Sequence, residues 1–186
     1  MPDADTLKFS PLAEDSKREI LAAYMVNPDI SLLDKVKIQA QVLMPVLRAF
    51  RAALGAEQAD QIVHTALREW SHQLFRDIGA QIEGSPMQKW AALRAAISPK
   101  ANENVDFEML RQEPEAIDAN VTGCRYAEFF RRLGELDLGA LLTCEADFDL
   151  VAVGNPDVGL NRTQTIMKGA SYCDFRYRLK KAVEPK

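Results

Sequence analysis

The sequence predicts an α+β fold: a helical N-terminal half packed on a C-terminal antiparallel sheet of about four strands with short helices. Three observations predict it. Up to residue 100 the text is rich in Ala and Leu at helical spacing, and beyond it come shorter apolar runs bounded by Gly and Pro. The charge changes at the same place. Residues 1–100 are balanced at 12 basic and 12 acidic side chains, so the whole net charge of -4 falls in residues 101–186. All three cysteines lie in the second half and both histidines in the first. We read 1–100 as a helical region, 101–186 as an α+β cysteine-containing region, and the two as one integrated domain.

The elements follow in order. "SPLAEDSKREILAAYM" reads as a helix ending near Asn27-Pro28. Residues 29–55 carry Leu43, Val46, Leu47, Phe50 and Leu54 at helical spacing, with Pro45 expected to kink or split the helix and Gly55 to stop it. Residues 56–84 carry Val63, Leu67, Trp70, Leu74 and Ile78 on one stripe. On that wheel His72 faces solvent and His64 lies on the flank. "SPMQKWAALRAAI" is capped by Ser85, starts at Pro86 and stops at Ser98-Pro99. "NVDFEMLRQE" and "AIDANVTGC" read as strands separated at Pro114, and "RYAEFFRRLG" as a short helix ending at Gly134. "LDLGALLTCEADFDLVAVG" reads as a further helix. "VGLNRTQTIMKGASYCDFRYRLK" reads as a hairpin turning at "MKGAS", and the tail as frayed.

Composition excludes several classes. No Lys/Arg cluster suits nucleic acid, and no apolar run approaches the ~18 residues of a membrane span. The N-terminus lacks the order of a signal peptide, so the cytoplasm is the expected compartment. Three cysteines, an odd number without a CxxC pair, argue against a disulfide framework and against a zinc site. No cofactor and no metal are expected, and the expected partners are a small-molecule substrate and further copies of the chain.

Cys124 stands where a strand becomes a helix, where the helix dipole stabilises a thiolate. Cap chemistry at Thr122 or Gly123 explains the same pattern without a site. Cys144 and Asp147 are three apart and share a face if helical, and the carboxylate would raise the thiol pKa. In the closing strand, alternation puts Cys173 with Phe175 and Tyr177, and Asp174 with Arg176 on the other face. Arg162 suits a bidentate carboxylate contact.

These motifs together resemble the L-2-amino-thiazoline-4-carboxylic acid hydrolase family. The resemblance rests on Cys124, Tyr126 to Glu128, Cys144 with Asp147, Arg162 with Thr163, Gly169, and Cys173 to Phe175. It implies a hydrolase acting on carbon–nitrogen bonds other than peptide bonds, opening a cyclic amidine or isothiourea ring on a route to L-cysteine. Within it Cys124 or Cys144 would be the nucleophile, and Asp147 or Glu128 would hold the amidine and relay protons. Arg162 would clamp the substrate carboxylate, and Tyr126, Thr163, Cys173 and Asp174 would line the substrate site. The closing Gly…Cys-Asp-Phe also resembles, over a shorter stretch, the small-molecule-binding domains of vinyl-reductase type. That similarity implies the alternative of a non-catalytic small-molecule or metal sensor.

Overall fold

Helix α1 (Leu32–Leu54) opens the computed structural model, which describes residues 30–98 and 101–180. Ser31 caps it, accepting from the Asp34 N–H at 3.1 Å. The helix passes through Pro45 without dividing. Met44 and Leu47, on either side, pack into the same core, and this tertiary packing outweighs the lost backbone bond. Gly55, at φ 85°, closes α1 by donating to the Arg51 carbonyl and passes directly into α2 (Ala56–Ala80).

The buried stripe of α2 differs from the one expected. Ala59, Ser71 and Phe75 are buried, whereas Trp70 is 46 % exposed. Val63, Leu74 and Ile78 of the expected stripe do pack against the core, and the buried face is broadened towards Ser71 and Phe75, which brings His72 to a half-buried flank. Helix α3 (Pro86–Ile97) starts as expected, with the Gln88 side chain accepting from the Ser85 N–H at 3.0 Å, and buries Trp90 and Leu93. The readings for residues 10–25, Pro99 and the tail fall outside the described residues.

A four-residue helix, α4 (Ala101–Asn104), leads into β1 (Val105–Glu113), which turns back through β2 (Ala116–Cys124). Helix α5 (Arg125–Leu133) follows directly. Then comes one helical segment with two π-helical turns: α6 (Leu136–Gly139), a π turn (Ala140–Cys144), α7 (Ala146–Asp149) and a second π turn (Leu150–Gly154). Strands β3 (Val158–Asn161) and β4 (Cys173–Leu179) complete an antiparallel sheet of order β1-β2-β4-β3. The helical half and the four-stranded antiparallel sheet are the α+β class expected from the sequence.

Two details depart from the hairpin expected around "MKGAS". Strands β3 and β4 do pair, but β3 ends at Asn161, so Arg162 to Thr165 lie in the connection and not in a strand. A short 3₁₀ turn (Ile166–Lys168), capped by the buried Thr165, occupies the rest. The described residues hold two apolar clusters. The first joins Ala40 and Leu47 of α1 to Phe130 of α5, Leu138 and Met167. The second joins Phe75 and Trp90 to Val151, Val158 and Tyr177. Cys124 and Cys144 lie on the edge of the first cluster, and Phe175 on the edge of the second.

Candidate active site

Cys124 is both the last residue of β2 and the N-cap of α5. Its Sγ accepts from the Ala127 N–H at 3.4 Å. Burial raises the thiol pKa, the Ala127 and Tyr126 amides oppose that rise, and the nearby charges of Asp147 and Glu128 add to it. The sheet register sets Val105 opposite Cys124 and Asp106 opposite Gly123. A Cβ at Gly123 would meet the Asp106 carboxylate, which would have to swing aside. Asp106 in turn accepts from Arg125 Nη2 at 3.2 Å.

Cys144 ends the first π turn, in which the Glu145 N–H reaches back to the Ala140 carbonyl. The Phe148 N–H then donates to the Glu145 carbonyl, and the Cys144 carbonyl accepts from Arg162 Nη2 at 2.9 Å. Burial, reinforced by Asp147, pushes the Cys144 thiol up to about 12, against the pull of Arg162. Of the two thiols this one is by far the more reluctant to ionise.

Arg162 ties the centre together. Its side chain is 4 % exposed, and Nη1 is ion-paired to Asp147 Oδ2. Its guanidinium lies 4.7 Å from the Phe148 ring centroid and 5.2 Å from that of Phe175. Asp147 keeps 36 % of its side-chain surface open, so it is not sealed in. Even so, surrounding protein pushes its pKa up to about 6, against the opposing pull of Arg162. A carboxyl poised near neutrality can both take and return a proton.

The structure places the remaining expected residues as follows. Tyr126 is half-buried beside Cys124 and close to Asn104, and burial raises its pKa. Cys173 is buried, and its Sγ accepts from the Ile166 N–H at 3.2 Å. Its thiol still lies within electrostatic reach of Cys124, Arg162 and Asp147, so the three cysteines and this ion pair share one region. Thr163 and Asp174 are engaged with each other. The Asp174 carboxylate accepts from Thr163 Oγ1 at 2.7 Å, the Thr163 N–H at 2.9 Å and the Gln164 N–H at 2.8 Å. Burial alone would raise its pKa, yet these bonds hold it below the usual value. Glu128 lies on the exposed side of α5.

Three features were not legible in the sequence. His72 Nε2 sits 2.8 Å from Asp149 Oδ1, which also accepts from Arg68 Nε at 3.1 Å, tying α2 to α7. Asn104 is buried, and its side chain reaches the Tyr126 hydroxyl. The π turn was read as plain helix. Two surface depressions, of about 360 Å³ at the α1–α2 junction and about 250 Å³ around Gly154 and Asn155, contain none of the cysteines. Among the described residues no group of three His, Cys, Asp or Glu side chains is set to hold a metal, and no helix is long and apolar enough to cross a membrane.

An α+β domain that gathers three free thiols and a carboxyl of raised pKa around one buried arginine has the equipment of thiol and acid–base chemistry. The chain belongs to the L-2-amino-thiazoline-4-carboxylic acid hydrolase family, whose model matches residues 35–177. The family name marks a hydrolase of that kind. No curated protein matches the chain.

Proposed function

We propose that the protein opens a small cyclic amidine or isothiourea ring bearing a carboxylate, of the 2-amino-thiazoline-4-carboxylate type, at a carbon–nitrogen bond. The observation that carries this reading is the Arg162–Asp147 pair set among the thiols, with Asp147 pushed up to about 6.

Cys124 is our nucleophile, since two backbone amides offset part of the cost of ionising it and Cys144 has no such help. The Asp147 carboxylate takes the Cys124 proton as the sulfur adds to the amidine carbon between nitrogen and sulfur. Collapse of the adduct breaks the ring carbon–nitrogen bond, and Asp147 returns the proton to the departing nitrogen. Asp147 then takes a proton from water as its oxygen adds to the same carbon. The carbon–Sγ bond breaks, the thiol is restored and a carbamoyl-cysteine leaves. Arg162, already committed to Asp147 and to the Cys144 carbonyl, acts by orienting the base.

The test is turnover of 2-amino-thiazoline-4-carboxylate by the purified chain, followed by release of carbamoyl-cysteine. Cys124→Ala and Asp147→Asn are expected to remain folded and to lose at least ~10²-fold in kcat. Full activity in both would remove the mechanism.

We infer that the homo-oligomer expected from the sequence uses α1, where Ile38, Val42 and Val46 are each between 43 and 65 % exposed opposite the buried Ala40 and Leu47. A helix apolar on both sides is normally covered. Antiparallel pairing with a second copy would set Ile38 against Val46, with Val42 on the two-fold axis. Sedimentation at rising concentration is expected to show dimerisation that Val42→Glu abolishes. A wild-type chain that stays monomeric at ~100 μM, far above a micromolar dissociation constant, removes the inference.

A further inference from the structure

The chemistry above leaves one buried carboxylate without a task. Asp149 closes α7 and keeps only 10 % of its side chain open. Its side-chain partners among the described residues both come from α2: Oδ1 meets His72 Nε2 at 2.8 Å and Arg68 Nε at 3.1 Å. The two donors are four residues apart, so they stand on one face of the helix. A carboxylate only accepts, and the 2.8 Å contact therefore requires the hydrogen on His72 Nε2. Arg68 Nε lies 3.4 Å from that same nitrogen and so donates to Asp149 and not to the ring.

The grip matters because of what it holds. Helix α7 has four residues (Ala146–Asp149) and runs between two π turns. At its entry the Phe148 amide turns to Glu145, and the Cys144 carbonyl is given to Arg162. The backbone ladder that would set the rotation of a regular helix is interrupted there. Two side-chain ties stand in its place, Arg162 on the Cys144 carbonyl and α2 on Asp149. Asp147 lies between them. Two residues along a helix turn by about 200°, so with Asp149 facing α2, Asp147 is directed to the other side, where Arg162 pairs with it. Helix α2 is a firm anchor, since Phe75 is buried in the second cluster together with Leu150 and Val151.

We propose that Arg68 and His72 are positioning residues for Asp147: by holding Asp149 they fix the rotation of α7 and with it the place of the base. The consequence for turnover rests on the ring-opening reading, whereas the hold on Asp147 can be measured without turnover. The charged and titratable groups that face Asp147 are Arg162, Arg94 of α3, Glu145, the three thiols and Tyr177. None of them is altered in the variants below.

The test labels the aspartate carboxyl carbons of the full chain with carbon-13 and follows the Asp147 signal by NMR through a pH titration, the signal being identified by its absence from Asp147→Asn. Its midpoint in wild type is expected at about 6. In His72→Leu and in Arg68→Met the loosened α7 admits water to a carboxyl whose pKa is raised chiefly by burial, and the midpoint is expected to fall by at least ~0.5 unit. Removing a positive charge would by itself raise the midpoint, so the direction separates movement of α7 from a through-space effect. His72→Gln keeps an N–H for Asp149 and is expected to bring the midpoint back to the wild-type value. With the ring as substrate, kcat in His72→Leu is expected to fall at least ~10-fold with little change in KM. An unchanged or raised midpoint in either variant that folds overturns the positioning role, as does a His72→Gln midpoint no nearer to wild type than that of His72→Leu. Arg68 has 55 % of its side chain exposed, so Arg68→Met decides the matter where His72→Leu does not fold. The two failures are separable. A wild type that opens no ring, with a midpoint that falls in the variants, keeps the positioning and removes the reaction. Ring opening at the wild-type kcat in both variants, with an unmoved midpoint, removes the positioning and keeps the reaction.

Discussion

Replacing Asp147 by Asn gives the most direct test of the centre, because one side chain links its stability to its chemistry. Asp147 has a carboxyl pKa of about 6 in the fold against a reference of 3.8. A raised carboxyl pKa means that the fold favours the protonated form. Its stabilising contribution is complete below about pH 3.8 and is lost as pH rises through about 6. At ~1.36 kcal/mol for each unit, the shift corresponds to a ceiling of about 3 kcal/mol. Asp147 keeps 36 % of its side chain open, so solvent screening reduces this to roughly 1–2 kcal/mol. Asn cannot ionise and should remove that pH dependence. The assay is urea unfolding of both proteins at pH 5 and pH 8. A pKa of about 6 leaves at most about 1.4 kcal/mol to be lost above pH 5, so with screening wild type should lose roughly 0.5–1 kcal/mol more than Asp147→Asn between the two. The kcat/KM of wild type for the ring should rise with a midpoint near pH 6, the carboxylate being the working form, and the variant should show no such limb. Parallel stability profiles for the two proteins would refute the electrostatic account of Asp147. A wild-type rate profile flat from pH 5 to 8 would refute its role as base.

Further outcomes follow from the same geometry. At pH 8 iodoacetamide should modify Cys124 well before Cys144, whose thiol is pushed up to about 12, as peptide mass spectrometry would register. Asp174→Ala breaks three hydrogen bonds that hold the Thr163–Gln164 connection and should cost about 2–4 kcal/mol in urea unfolding. Phe130→Ala, at a fully buried position in the first cluster, should cost about 3–5 kcal/mol in the same assay.

The parts of the fold that were legible are those written in local chemistry. Ser85, Pro86 and Gln88 spell a helix start, and the structure begins α3 there. The break between "NVDFEMLRQE" and "AIDANVTGC" gives the β1–β2 hairpin, and Gly134 closes α5 in the left-handed conformation that favours glycine. Alternation in β4 correctly separates buried Cys173 and Tyr177 from Asp174 and Arg176. The misreadings share one cause, a decision made by distant residues. Pro45 does not divide α1 because Met44 and Leu47 are packed. Trp70 fits the helical period, but the face that meets the core extends from Val63 and Leu74 towards Ser71 and Phe75 and leaves Trp70 outside, which no local pattern reveals. Residues Arg162 to Thr165 look like strand, yet the amides of Thr163 and Gln164 are taken by the Asp174 side chain and not by a neighbouring strand.

The site shows the same division. The sequence singles out Cys124, Cys144, Asp147 and Arg162, and gives Arg162 to the substrate. Its partner is decided by the π turn at Ala140–Cys144. In a regular helix the Cys144 carbonyl would be spent on the Phe148 amide. Here that amide turns to Glu145, and the Cys144 carbonyl accepts from Arg162 Nη2 while Nη1 meets Asp147. The irregular turn thus frees a carbonyl that holds the buried arginine, and Asp147 is left between burial, which raises its pKa, and the cation, which lowers it. Restoring a regular helix by deleting one residue between Ala140 and Cys144 should therefore release Arg162 and lower the reactivity of the whole centre, even though no residue assigned to the chemistry is changed.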